Sequence, residues 1–172
     1  MLISKRTVSR RSVRARDLPA LMELYELNYI ALRRMIPQPE LIGAATVSAP
    51  AGALALHLQI VERAPYTTTL RLTYLFSDAQ GLFPAPDVLI RMYHDARVAE
   101  VVSRGRRRGS RGSEYDRGRE RYTLAQTWEV NRFLHKWLGY CLRQGHAFSP
   151  GRDQFSKAAQ LVAEGQLVDI ES

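Results

Sequence analysis

Two periodicities alternate along the chain. Leu21, Leu24, Tyr25, Asn28, Ala31, Leu32 and Met35 recur at three- and four-residue spacing, which predicts an amphipathic helix of about five turns. Asp17 stands where a carboxylate can cap the first turn, and Pro19 falls where no amide partner is lost. Pro37 and Pro39 end the run, and Arg33 and Arg34 sit in the last turn, favourably placed for the helix dipole. Asn28 lies inside the apolar stripe, so it is expected to be buried and to need hydrogen-bond partners.

Residues 38–52, with prolines, alanines and glycines, read as a connecting loop. From Leu54 the period becomes two: Leu54, Leu56, Leu58, Ile60 and Glu62 share one face, and Ala55, His57, Gln59 and Val61 the other. Ala64 and Pro65 make a turn into a second strand, with Leu70, Leu72, Tyr74 and Phe76 facing in and Thr69, Arg71 and Thr73 facing out. The short return predicts an antiparallel hairpin. Ser77 to Pro86 read as a loop, followed by a third strand with Val88, Ile90 and Met92 on one side and Leu89, Arg91 and Tyr93 on the other. A fourth strand, Arg97 to Val102, sets Val98, Glu100 and Val102 against Arg97, Ala99 and Val101. His94, Asp95 and Ala96 supply the turn between the last two strands, where an aspartate side chain can accept nearby backbone amides.

Thr123 and Gln126 fit a capping box. The helix they open carries Leu124, Trp128, Asn131, Leu134, Leu138 and Cys141 or Leu142 inward, with Phe133, Trp137 and Tyr140 widening the apolar face and Gly145 as its stop. A third helix is expected over residues 151–164. The order of elements predicts a two-layer α+β domain: an antiparallel sheet of about four strands with two long helices packed on one face.

Charge changes this picture at two places. The formal net charge is +8, yet residues 1–16 carry six basic residues and no acid, and residues 103–121 carry eight arginines against three acids. The remainder holds 11 basic and 14 acidic residues, so the excess belongs to two Ser- and Arg-rich segments, the second also rich in glycine, that are poor in core-forming residues. They are expected to be disordered. This divides the chain into a basic segment 1–16, a domain over 17–147 with a flexible loop at 103–121, and an extension over 148–172. Arg104, Arg106, Arg107, Arg108 and Arg111 are candidate phosphate contacts, since counterion release requires only charge density; solvated charge is the alternative. The amino-terminal segment also has the composition of a transit peptide. The single Cys141 permits no internal disulfide and no cysteine-based metal cluster, and no apolar run approaches a membrane span. A cytoplasmic protein is expected.

Candidate chemistry is sparse. His94 and Asp95 are adjacent, and neighbouring side chains in a strand or turn diverge, which makes them a poor proton relay. Glu62 and Glu100 each fall in phase with an apolar strand face, where a carboxylate must pair, accept hydrogen bonds or take up a proton. The four histidines are far apart, without metal-ligand spacing, and no phosphate loop or GxSxG motif occurs. No metal or cofactor is expected. The polar sheet face offers His57, Gln59, Arg71, Arg91, Tyr93 and Arg97, a basic and partly aromatic platform suited to single-stranded nucleic acid or an acidic partner. Antiparallel sheets also commonly leave one polar face in water.

Four blocks in order, LNYIALRRMIP, IVERAPYTTTL, RMYHDARVAEV and NRFLHKWLGYCLRQG, resemble the YqiB-like proteins, a bacterial family of unknown function. The resemblance covers roughly residues 20–146 and implies a small cytoplasmic protein, with no activity, cofactor or partner attached. Position by position it highlights Asn28, Arg33, Arg34, Pro37, Glu62, Tyr66, Thr67, Thr68, Tyr93, His94, Asp95, Glu100, Asn131, Trp137, Tyr140 and Cys141. Three functions stand as expectations. The first is a non-catalytic binding or regulatory domain, acting through the sheet face or a groove near Tyr93, His94 and Glu100. The second is an RNA- or ribosome-associated accessory protein using the arginine segments. The third is a small enzyme, which requires Glu62, Glu100 and His94 to converge in one pocket.

Overall fold

The first helix, α1, spans Leu18–Met35 and begins where Asp17 accepts the amide of Ala20 at 2.9 Å. In the computed structural model, which describes residues 17–105 and 122–151, it is followed by five strands and a second helix. The strands are β1 Ala45–Ser48, β2 Leu56–Arg63, β3 Thr67–Asp78, β4 Gly81–Tyr93 and β5 Val98–Arg104; the helix is α2, Leu124–Arg143. The sheet is antiparallel throughout, in the order β1-β2-β3-β4-β5. The fold is α+β.

The expected four strands are five. β1 falls in the stretch expected to be a loop; it is short and its core-side residues, Thr46 and Ser48 opposite Leu58 and Leu56, are polar, so no apolar alternation marks it. β4 begins at Gly81 rather than after Pro86. Its early residues lie beyond the reach of β5, whose pairing starts at Val88, and an edge position tolerates the missing amides of Pro84 and Pro86. The proposed third helix lies outside the described residues, apart from Gly151.

One core cluster joins both helices to one set of strand residues. Leu56, Leu58, Leu70, Leu72, Val88, Ile90, Met92, Ala99 and Val101 from the sheet meet Leu32 and Met35 of α1 and Leu134, Leu138 and Cys141 of α2. α2 opens on the expected reciprocal capping box, and Gly145, at φ +85°, turns the chain out of the helix. The amide of Phe148 then donates to the carbonyl of Met35 at 2.8 Å, and Phe148 is buried in the same core.

Two features of strand pairing decide where the carboxylates point. Ile60 opposes Leu70 but Glu62 opposes Thr69, so Val61 is an extra residue. A bulge of this kind moves the subsequent residues to the other face. Glu62 therefore leaves the apolar face on which alternation had placed it, and its side chain is 62% exposed. In β5, Ala99 opposes Met92 and Val101 opposes Ile90, whereas Glu100 opposes Arg91. Glu100 thus stands on the polar side of the sheet, outside the core cluster. Both faces of β5 carry valines, so alternation alone did not distinguish them. Arg97, expected in this strand, lies in the turn before it at φ +55°.

Candidate functional site

His94 begins the turn between β4 and β5, and its backbone amide donates to the carbonyl of Tyr66 at 2.8 Å. That bond ties this turn to the Pro65–Tyr66 turn, which is closed by reciprocal bonds between Ala64 and Thr67. The two turns bring the imidazole between α1 and the sheet. Its Nδ1 lies 3.3 Å from the hydroxyl of Tyr29, and its Nε2 lies 2.9 Å from Oγ1 of Thr68. Both ring nitrogens thus meet side-chain hydroxyls.

His94 and Thr68 line an open cleft of about 550 Å³ together with Arg33, Glu40, Arg63, Ala64 and Pro65. The cleft is assembled from the last turn of α1, the loop after it, the β2–β3 turn and the β4–β5 turn. Arg63 is held rigidly, because one terminal nitrogen donates to the carbonyls of Pro39 and Ile42, each at 2.9 Å. Burial, reinforced by the nearby Arg33 charge, holds the His94 imidazole below its ordinary pKa, with Glu40 and Asp95 opposing. A neutral ring results at pH 7.

Glu62, Arg91, Tyr93 and Glu100 stand on the face of the sheet away from Thr68, and Glu100, on the edge strand β5, also meets Tyr25 of α1. The Tyr93 hydroxyl donates to Oε1 of Glu100 at 2.8 Å. Burial, then the Glu100 interaction, raises the Tyr93 pKa, and Arg91 partly offsets it. Burial and then Glu100 likewise raise the pKa of Tyr25 on α1. Arg91 donates to Oγ1 of Thr69 at 3.1 Å and lies 3.7 Å from Glu62. Arg71 lies 3.7 Å from Asp87. Arg91 and Arg71 of the expected basic platform thus each face a carboxylate, and on that face His57, Thr69 and Thr73 are buried. Gln59 is half-buried and Arg97 exposed at the turn. Glu62 and Glu100 do not converge with His94, whose partner Thr68 faces the core opposite Met92. The three-residue catalytic arrangement is therefore not formed.

Of the candidate phosphate contacts, Arg104 stacks its guanidinium 3.7 Å over the ring of Phe133, a cation–π contact. Arg106, Arg107, Arg108 and Arg111 lie outside the described residues. A second histidine network is buried. The Tyr74 hydroxyl lies 3.1 Å from Nε2 of His146 and 3.6 Å from Sγ of Cys141, while Nδ1 of His146 lies 3.2 Å from Oγ of Ser48. Burial lowers the His146 pKa and raises that of Cys141. Among the described residues, no group of three or more His, Cys, Asp or Glu is arranged to hold a metal, and no helix is long and apolar enough to cross a membrane.

Sequence spacing did not single out Arg63 or Glu40, because the cleft draws on four separated segments. His94 was a candidate from the sequence itself, whereas Arg33 and Thr68 were marked as site residues only by the family resemblance. Comparison with known proteins extends that resemblance. The chain is 33% identical over 137 residues to "Uncharacterized protein YqiB" of Escherichia coli strain K12, a match covering 75% of this chain and 91% of that protein. The proteins of the same name in strains CFT073 and O157:H7 match to the same extent. No solved structure matches. Residues 31–147 match the family described as "Protein of unknown function (DUF1249)", a span that contains all seven residues of the cleft. The chain belongs to this family.

Proposed function

We propose that this protein is a non-catalytic binding domain whose ligand site is the cleft around His94. The observation that carries the reading is the double engagement of the imidazole by Tyr29 and Thr68. A general base must present a nitrogen to the proton it removes, and here both nitrogens are occupied by the protein's own hydroxyls. The same bonds make His94 a rigid wall of a polar cleft. Pockets that bind small ligands combine apolar lining with a few convergent polar groups, and Ala64 and Pro65 beside Arg33, Arg63 and Thr68 supply that combination.

Affinity capture from a native Escherichia coli lysate tests the reading, with the parent chain compared with Arg33→Gln, His94→Gln and, as a control on the opposite side of the sheet, Arg91→Gln. The retained small molecules and macromolecules are identified by mass spectrometry. Material retained by the parent and Arg91→Gln but lost from both cleft variants is expected, with or without nuclease. Retention that is unchanged in the cleft variants and abolished by nuclease or by added salt overturns the reading in favour of the RNA-associated one.

A further inference from the structure

We infer that the ligand group taken by this cleft is an oxyanion, a carboxylate or phosphate, held between the guanidinium groups of Arg33 and Arg63 above the Thr68 hydroxyl. The inference rests on the cleft being a binding site and names its ligand class. Two guanidiniums and one carboxylate, Glu40, line the cleft, and among the described residues neither Arg33 nor Arg63 forms an ion pair. The partners of Arg63 are carbonyls, which fix the group in place without neutralising it. A fixed guanidinium recognises planar or tetrahedral oxyanions with little further loss of conformational freedom.

The neutral imidazole prepares the third contact. A neutral histidine donates from one nitrogen and accepts at the other. If Tyr29 donates to Nδ1, then Nε2 donates to Oγ1 of Thr68, and the threonine hydroxyl keeps its own hydrogen for the ligand. Thr68 lines the cleft although only 2% of it is exposed. His94 is accordingly a positioning residue for Thr68 and the natural reporter of occupancy. An anion beside it also opposes the Arg33 effect that helps keep the ring neutral.

The test is a titration of the full chain, ¹⁵N-labelled in its histidine rings, with inorganic phosphate and separately with acetate at constant ionic strength. His94 is assigned from a His94→Gln spectrum. Saturable movement of the His94 signals with at least one ion is expected, while those of buried His57 and His146 stay in place. Phosphate alone acting identifies a phosphoryl ligand, and acetate acting as well identifies a general oxyanion site. Arg33→Gln is expected to raise the dissociation constant at least about tenfold, the scale of one lost hydrogen bond to a charged group. Arg33→Lys is expected to recover part of the loss, and Arg34→Gln, exposed and outside the cleft, to match the parent. No saturable movement with either ion, or equal affinity in the parent and Arg33→Gln, overturns the inference. If lysate capture still depends on the cleft after that result, the binding site stands with a ligand of another class; if it does not, both fail.

Discussion

Oδ1 of Asn131 accepts the backbone amide of Val101 at 3.0 Å, so a helix side chain completes a hydrogen bond that the edge strand β5 has no further strand to make. The Asn131 amide group donates to the carbonyl of Thr127 at 2.8 Å, and the Asn131 carbonyl accepts from Nδ2 of Asn28 at 3.3 Å. Both asparagines are fully buried. Together they join α1, α2 and β5 through polar groups that the surrounding core would otherwise leave unsatisfied.

Asn131→Leu keeps the approximate volume but leaves the Val101 amide without its acceptor. A loss of ~2 kcal/mol is expected, the scale of leaving one buried donor unpaired. Urea unfolding measures it, and hydrogen exchange at the Val101 amide should accelerate beyond the change in global stability. Exchange that tracks global stability alone would mean that this bond contributes nothing local.

Stability should fall as pH drops below 6.5. His57, His94 and His146 are each lowered from their ordinary value of 6.5, chiefly by burial. The unfolded chain therefore takes up protons that the folded chain refuses, and stability rises with pH wherever the unfolded state binds more. The stabilisation is complete above the unfolded value and is lost as pH falls toward the folded ones. Chemical denaturation between pH 5 and 8 should show this slope, and His146→Gln should flatten it whatever its effect on stability at pH 8. An unchanged slope in that variant would remove His146 from the account.

Tyr93 and Glu100 should be energetically coupled. A double-mutant cycle of Tyr93→Phe and Glu100→Gln is expected to give ~1 kcal/mol, because the bond is charge-assisted but only partly buried. Thermal or urea unfolding of the four proteins supplies the number. Because Glu100 lies on the polar side of the sheet, its single substitution should cost no more than ~1.5 kcal/mol. A collapse of the fold on Glu100→Gln would contradict that placement.

Two glycines should respond oppositely to alanine. A Cβ at Gly105 would stand 2.8 Å from Oδ2 and 2.9 Å from Cβ of Asp87, whose carbonyl also accepts the Gly105 amide. At Gly139, inside α2, the nearest atom is the flexible end of Arg143 at 3.4 Å. Gly139→Ala is expected to stabilise by ~0.5–1 kcal/mol, through the lower backbone entropy of the unfolded chain. Gly105→Ala is expected to destabilise as the Asp87–Arg71 pair is displaced. Melting temperatures of the two variants should therefore move in opposite directions.

Local chemistry was legible wherever a signal is short-range. The Asp17 cap, the Thr123–Gln126 capping box, the Gly145 stop and the burial of Asn28 all depend on neighbours within a turn or on one helical stripe, and each stands as expected. The hairpin joining β2 and β3 was equally readable, because Ala64–Pro65 interrupts two alternating runs.

Register was not legible, and the candidate site depends on it. A one-residue bulge at Val61 leaves the alternation pattern visibly unchanged, yet it carries Glu62 to the other side of the sheet. Glu100 stands opposite Arg91 for the same reason: pairing between strands, rather than the order of residues within one, chooses the face. The His94 cleft is more remote still. Its walls come from α1, a loop and two turns, and only long-range packing through Tyr29 and Thr68 draws them together. Amino-acid order thus determined both helices, their caps, the β2–β3 hairpin and most of the apolar core, since these arise from interactions spanning a few residues. Which carboxylate meets which arginine, and which histidine borders an open cleft, was decided by contacts between segments far apart in the chain, whose geometry exists only once the sheet and helices have closed on one another.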